Sequence, residues 1–386
     1  MFRYEAEKHL KEKILPFWEN LTDPGQGGYY GMVDRELNVF PNADKGCILH
    51  ARILWTFSTA ARVLKDAGLR KHAEHAYNAL CMFEDSLNGG VYWSITFDGK
   101  PADTAKHTYC QAFAIYGLAA YYRLTGHEAA LNKAEALFRI IEERCTVPNG
   151  YGEAYKADFT PESNEKLSEN GILATRTMNT LLHVLEGYTE LYRAAENEEV
   201  RRAGIRILKR FLNDIYTPDR HQLKVFMDEN YQPLLDMQSY GHDIEASWLV
   251  WDSAEALLAQ ETREPYRKMC LDLVSTVRKR AFTEHGLLNE CVNGTQNCQL
   301  IWWVQAETVL GFANALQLTG DATWGDDLLK EWESIQTNIV DPRPQGEWFW
   351  SLLEDGTLTG PIAGEWKCPY HNGRMCLRVI ENNLQL

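Results

Sequence analysis

The chain has 386 residues, 45% of them hydrophobic and 24% charged, with a formal charge of −15 at pH 7. The composition is globular, and the acidic excess argues against nucleic acid and anionic membrane surfaces, which recruit Lys and Arg. Nine scattered cysteines with no Cys-x-x-Cys pair, no leader-like apolar run after Met1, and no stretch near the roughly 20 apolar residues of a membrane span point to a soluble, reduced, cytoplasmic protein.

Apolar residues at three- and four-residue spacing predict helices over 4–21, 47–65, 69–86, 107–125, 128–145, 177–195, 198–215, 243–260, 263–281, 301–318, 322–338 and 369–383. Between them lie Gly-rich, aromatic, strand-like stretches. They begin at Gly27, Gly89, Gly150, Leu223, Gly286 and Gly346. Twelve helices taken in pairs give a unit of about 64 residues, longer than ordinary solenoid repeats. Stretches such as 47–57 and 301–313 are apolar nearly all round, so they are expected to be buried on both sides. The partner helices, such as 263–281, carry one charged face. An inner ring inside an outer ring fits this asymmetry, an all-α (α/α)6 barrel with short hairpin-like inserts. An open α-solenoid is the alternative. No Pro- or Ser-rich linker divides the chain, so 1–386 is expected to be a single domain.

Three stretches concentrate chemistry, around His183, His242 and His371. Asn179 and His183 lie four apart on one helix face, as do Trp303 and Glu307. His242, Glu245 and Trp248 follow at spacings of three. Arg52 is a charge inside an apolar helix, and a buried arginine needs a partner or an anionic ligand. His242 and His371 both fall at a helix start, where the positive end of the helix dipole keeps imidazole neutral and able to accept a proton. Bland readings stand beside these. Trp248, Trp303 and Trp366 serve equally well as core, and Glu245 and Glu307 as salt-bridge partners. Three distant histidines also allow a zinc site, although no His-Glu-x-x-His spacing is present.

The stretches 44–55, 177–186, 240–249, 301–307 and 365–374 resemble the N-acylglucosamine 2-epimerase superfamily, and within it the cellobiose 2-epimerase branch. The last block, Trp366 through Arg374, carries the branch resemblance. The resemblance spans nearly the whole chain and implies an (α/α)6 barrel. It implies an enzyme that inverts C2 of the reducing-end glucose of a β-1,4-linked disaccharide, turning cellobiose into glucosyl-mannose and lactose into epilactose. No metal and no nicotinamide cofactor are implied.

In that chemistry the sugar opens, a base removes the C2 proton, and an enediolate is reprotonated on the opposite face. The resemblance assigns His242 and His371 as the bases, Arg52 as the clamp on the enediolate, and His183 with Asn179 as holders of the sugar oxygens. Glu245 and Glu307 orient the histidines, Trp303 and Trp366 stack on the sugars, Tyr109 bonds a hydroxyl, and Trp248 completes the binding set. The expected partner is a small disaccharide, with neither nucleic acid nor membrane. The sequence carries no signal of oligomeric state, and a monomer is compatible with it. Competing readings are an aldose–ketose isomerase or a monosaccharide or N-acylglucosamine 2-epimerase on the same scaffold. A glycoside hydrolase, with two carboxylates across the bond, and a non-catalytic sugar-binding protein are further alternatives. The loop between Tyr151 and Glu169, which could shape a second-sugar subsite, matches the family pattern least.

Overall fold

A computed structural model describes all residues, 1–386. Twelve helices form, in the order expected. The first, α1, runs over 2–19 with a π turn at Leu10–Ile14. The inner ring consists of α2 (Cys47–Val63), α4 (Thr108–Thr125), α6 (Met178–Ala195), α8 (Tyr240–Leu257), α10 (Trp302–Thr319) and α12 (Tyr370–Glu381). The outer helices are α1, α3 (Arg70–Cys81), α5 (Glu128–Ile140), α7 (Glu198–Arg210), α9 (Glu264–Ala281) and α11 (Thr323–Ser334).

Burial separates the two rings. In α2 every residue from Cys47 to Ala61 is buried, because this helix has neighbours on all sides. In α7 the buried residues are Val200, Ala203, Gly204, Ile207 and Leu208. That spacing marks a single apolar stripe under a charged face. Each inner helix packs on the next, and α12 packs back on α2, so the ring closes and the open solenoid is excluded. Glycines let inner helices approach closely. A Cβ on Gly117 would sit 2.6 Å from the Ala51 carbonyl oxygen, and one on Gly187 would sit 2.7 Å from that of Ala112. The termini meet where α1 packs on α12, and Phe2 N donates to the Leu386 carbonyl at 3.1 Å. The result is an (α/α)6 barrel around a contiguous hydrophobic core. No helix is long and apolar enough to cross a membrane.

All the strands lie where outer helices hand over to inner ones. Short strands just before α2, α6, α8 and α10 pair with strands from the following insert. They are Lys45–Gly46 with Ser94–Ile95, Arg176–Thr177 with Phe226–Met227, Met237–Ser239 with Glu290–Val292, and Leu300–Ile301 with Ser351–Leu352. This rim caps the N-terminal ends of the inner helices. The stretches at Gly27 and Gly346 turn out to form isolated bridges rather than ladders.

Side chains from the helices do the fastening instead. The fourth residue of an inner helix takes the backbone N–H of the preceding insert. Tyr29 N donates to His50 Nε2 at 3.1 Å, Val91 N to Gln111 Oε1 at 2.8 Å, Leu223 N to Asp243 Oδ1 at 3.0 Å, and Leu287 N to Gln305 Oε1 at 2.9 Å. In the other two units a glutamate on the insert reaches the helix, Glu153 to Thr180 and Glu347 to Asn372. Each latch satisfies a buried backbone or side-chain group that would otherwise be orphaned. The latches hold the rim at a fixed height above the helix starts.

Candidate active site

One cavity of about 290 Å³ opens at the rim, over the N-termini of the inner helices. Nine of the residues singled out from the sequence line it: Arg52, Tyr109, Asn179, His183, His242, Glu245, Trp303, Trp366 and His371. They come in two layers because a helix returns to the same face after one turn. Tyr109, Asn179, His242, Trp303 and His371 are the second or third residues of their helices. Arg52, His183 and Glu245 sit one turn deeper. Trp303 packs against both His242 and His371, with ring centroids 5.0 and 5.5 Å away, so both imidazoles touch one indole.

Two expected binding residues do not reach the cavity. Trp248 and Glu307 lie behind its floor. The Trp248 indole N–H donates to Glu307 Oε2 at 2.8 Å, and its ring carries the Arg374 guanidinium at 4.7 Å. Both are buried against other side chains, so sugar contact is replaced by support of the site. Glu307 holds His371, whose Nδ1 lies 2.6 Å from Oε1. Glu245 was expected to orient a histidine, but its carboxylate lies 3.8 Å from His371 Nδ1 and 4.0 Å from His183 Nε2, beyond hydrogen-bonding distance. It is tied to Arg374 instead, at 2.8 Å. The partner of His242 is Ser239, the N-cap of α8, with Oγ 2.8 Å from Nδ1.

Arg374 was quoted in the C-terminal motif without a role. It is fully buried and pairs with Glu186, Glu245 and Glu307 on three different helices. Glu186 also accepts from His183 Nδ1 at 2.9 Å and from the Tyr370 hydroxyl. Burial works against ionisation of Glu186, but Arg374 and the bonds from His183 and Tyr370 outweigh it and hold the carboxyl down at about 2. Burial and the Glu307 charge push the Glu245 carboxyl up, with Arg374 opposing. Glu307 accepts from His371, Arg374 and Trp248, so it is the member of that pair that holds the negative charge.

Arg52 is equally buried and entirely different. It makes no ion pair. Its Nη2 donates to the Tyr109 hydroxyl at 2.8 Å, its Nη1 faces Cys368 Sγ at 3.8 Å, and its Nε has no partner. The faces of Phe113 and Tyr370 lie 4.1 and 4.7 Å from the guanidinium carbon. Aromatic faces stabilise the cation without cancelling its charge. The side-chain oxygen of Asn179, which lines the same cavity, also lacks a partner.

The three histidines are neutral at pH 7. Burial, then repulsion from His183 when that ring is protonated, lowers His242 to about 3. Burial lowers His183 against the pull of Glu186. Burial, then Arg52 and Arg374, brings His371 well below its ordinary value. Glu245, Glu307 and His371 present oxygen and nitrogen atoms within 4.8 Å of one another, a spacing that suits a metal ion. Arg374 already donates to both carboxylates, at 2.8 and 2.7 Å, so the cluster is an ion-pair network with its cation supplied by the chain.

The outer cavity wall was not readable from periodicity. Lys166, Leu167 and Glu169 come from the loop between strands Pro161–Glu162 and Arg176–Thr177. That loop is pinned where His107 Nε2 meets Asn164 Oδ1 at 2.9 Å. Asn289 and Glu290 face the cavity from the insert before α10, and Trp350 lines it together with Trp366.

Known proteins place this arrangement. The N-acylglucosamine 2-epimerase (GlcNAc 2-epimerase) family model matches residues 28–373. The chain is 44% identical to a cellobiose 2-epimerase of Eubacterium cellulosolvens, over 98% of each chain. A solved sugar epimerase from a ruminal bacterium is 41% identical with a TM-score of 0.98, covering 100% of both chains. The cellobiose 2-epimerase structure from Bacillus thermoamylovorans is 40% identical with a TM-score of 0.96, covering 99% of both. The histidine-bearing stretches, the closed barrel and these full-length matches agree: the chain belongs to the N-acylglucosamine 2-epimerase family.

Proposed function

We propose that the protein is a carbohydrate epimerase that inverts C2 of the reducing-end glucose of β-1,4-linked disaccharides, with cellobiose and lactose as substrates. The observation that carries this reading is two imidazoles with burial-lowered basicity, His242 and His371, both packed on Trp303 in a cavity that also holds the uncompensated cation of Arg52.

The proton of an aldose C2 becomes acidic once the ring opens and C1 is an aldehyde. A positioned neutral histidine then removes it. Glu307 engages His371 Nδ1, and Ser239 Oγ engages His242 Nδ1, so each ring keeps Nε2 for the sugar. The electrons move into an enediolate, and negative charge develops on O1 and O2. Arg52 meets that charge. Nothing else neutralises its guanidinium, and its position is set in advance by Tyr109 and the two aromatic faces. The second histidine, having taken up a proton from water at Nε2, delivers it to the opposite face to give the epimer, and the first later releases the C2 proton to water. His183, fixed by Glu186, and Asn179, with its free oxygen, hold the sugar hydroxyls. Trp303 and Trp366 stack on the rings, and the 166–169 loop with Glu290 borders the second sugar.

The hydrolase reading finds little support. Glu245 is the one deep carboxylate in the cavity and is bound to Arg374, while Asp243 is engaged by Leu223 N and Gln238. An isomerase shares the enediolate and differs in returning the proton to C1. Incubation with cellobiose, lactose, glucose, mannose and N-acetylglucosamine, each alone, followed by product identification, tests the proposal. Glucosyl-mannose from cellobiose and epilactose from lactose are expected. Ketose as the main product, or free glucose from cellobiose, contradicts it.

A further inference from the structure

The two buried arginines divide the work in a way that has a consequence for ligands other than the substrate. Arg374 is saturated by three glutamates. Arg52 is 2% exposed, lines the cavity, meets only neutral groups, and keeps an unpartnered Nε. A buried cation of this kind calls for an anionic ligand. The sugar supplies one only fleetingly, as the enediolate. A sugar acid supplies one permanently.

We infer that the cavity is an anion site for aldonates: it binds the open-chain C1 carboxylate of a disaccharide aldonic acid in preference to the neutral alditol, with Arg52 as the carboxylate's partner, so that aldonates inhibit the enzyme competitively. This rests on the epimerase reading for the identity of the sugar, but the preference for a carboxylate rests on Arg52 alone. The two oxygens of a carboxylate are planar and adjacent, as are O1 and O2 of the enediolate, and a guanidinium fork matches that shape. Asn179 lines the same cavity and can donate its amide N–H or accept from a hydroxyl. The other cation facing the cavity, Lys166, sits at the rim and is committed to Asp103, with its ammonium over the Trp93 ring at 4.8 Å. Glu169 and Glu290 face the same rim. The anion is therefore drawn to the floor, which places C1 of the aldonate where the aldehyde carbon of the open-chain substrate lies.

The test compares cellobionate with cellobiitol at pH 7. Inhibition constants are measured against cellobiose for the wild type. Dissociation constants come from calorimetry for wild type, Arg52→Met and Lys166→Ala. In wild type, cellobionate is expected to bind at least about tenfold more tightly than cellobiitol, a difference of about 1.4 kcal/mol. Arg52→Met should bring the ratio near one while cellobiitol keeps its affinity within a few-fold, and Lys166→Ala should retain the ratio. Equal binding of the two ligands by wild type overturns the inference. So does a preference that survives Arg52→Met or vanishes in Lys166→Ala. If Arg52→Met does not fold, the wild-type ratio and the Lys166→Ala result decide. A wild type that epimerises cellobiose without preferring the aldonate leaves the epimerase standing and refutes the anion site. One that prefers the aldonate without turnover does the reverse.

Discussion

Arg52 and Arg374 are 2% and 0% exposed, yet replacing them is expected to have unequal effects. Methionine approximates the volume of either side chain without the charge. Arg374→Met strands Glu186, Glu245 and Glu307, which the guanidinium joins at the centre of the inner ring. Breaking a buried pair from one side costs about 3–5 kcal/mol, because the orphaned charge stays in a dry interior. Arg52→Met strands no charge. It removes the cation–π contacts to Phe113 and Tyr370 and one bond to Tyr109. An apolar replacement regains part of that through packing, so the loss should be about 1–2 kcal/mol. Activity should show a different contrast. A folded Arg52→Met loses its stabilisation of the enediolate, and removing one such donor typically costs 10²- to 10³-fold in kcat, about 2.7–4 kcal/mol. Thermal denaturation followed by circular dichroism, and epimer formation from cellobiose, read the two quantities. The reasoning is refuted if Arg52→Met is destabilised as deeply as Arg374→Met, or if it retains kcat within a few-fold of wild type.

His242→Ala and His371→Ala should each lower kcat by about 10²- to 10⁴-fold with the melting temperature nearly kept; a several-fold loss in either reassigns that residue to binding. Glu331 on α11 is fully buried with both carboxylate oxygens unpartnered, and burial holds its carboxyl far above the usual range. Its penalty is absent below the unfolded carboxyl value, about 4.3, and grows by about 1.4 kcal/mol per pH unit above it as the unfolded chain releases the proton. Glu331→Met should therefore raise the melting temperature, and by more at pH 8 than at pH 5; a gain independent of pH contradicts this. Chelators such as EDTA should leave activity unchanged, because Arg374 supplies the cation of the carboxylate cluster. Loss of activity in EDTA that zinc or manganese restores would revive a metal site.

Much of the site was legible because helices repeat. A charge in an apolar helix marked Arg52, and four-residue spacing put Asn179 and His183 on one face. The same logic places Glu186 three residues after His183, where it was overlooked. Ser239 also lies within reach, three residues before His242, as a helix cap whose hydroxyl serves both the backbone and the imidazole. Arg374 was harder, since its partners arrive from three other helices and no spacing along one helix reveals them. Trp248 and Glu307 show the complementary error. Periodicity gives the face a residue occupies but not its depth, and these two fall below the cavity floor. The latches stayed hidden because His50, Gln111, Asp243 and Gln305 share a position and a geometry across three different residue types. Lys166, Glu169 and Glu290 belong to loops and short strands, where nothing periodic sets the direction of a side chain.

The central claim is that one histidine takes the C2 proton and the other returns a proton of its own to the opposite face of the sugar. Imidazole protons exchange with water between turnovers, so epimer formed in D2O should contain deuterium at C2. A direct transfer of hydrogen to the other face would keep the original atom, and the chain has no Gly-x-Gly-x-x-Gly fingerprint for a nicotinamide to mediate it. Proton NMR of the glucosyl-mannose isolated from cellobiose in D2O measures this. The account predicts loss of the C2 proton signal in the product, with some ketose formed by protonation of the same enediolate at C1; full retention of protium at C2 would contradict it.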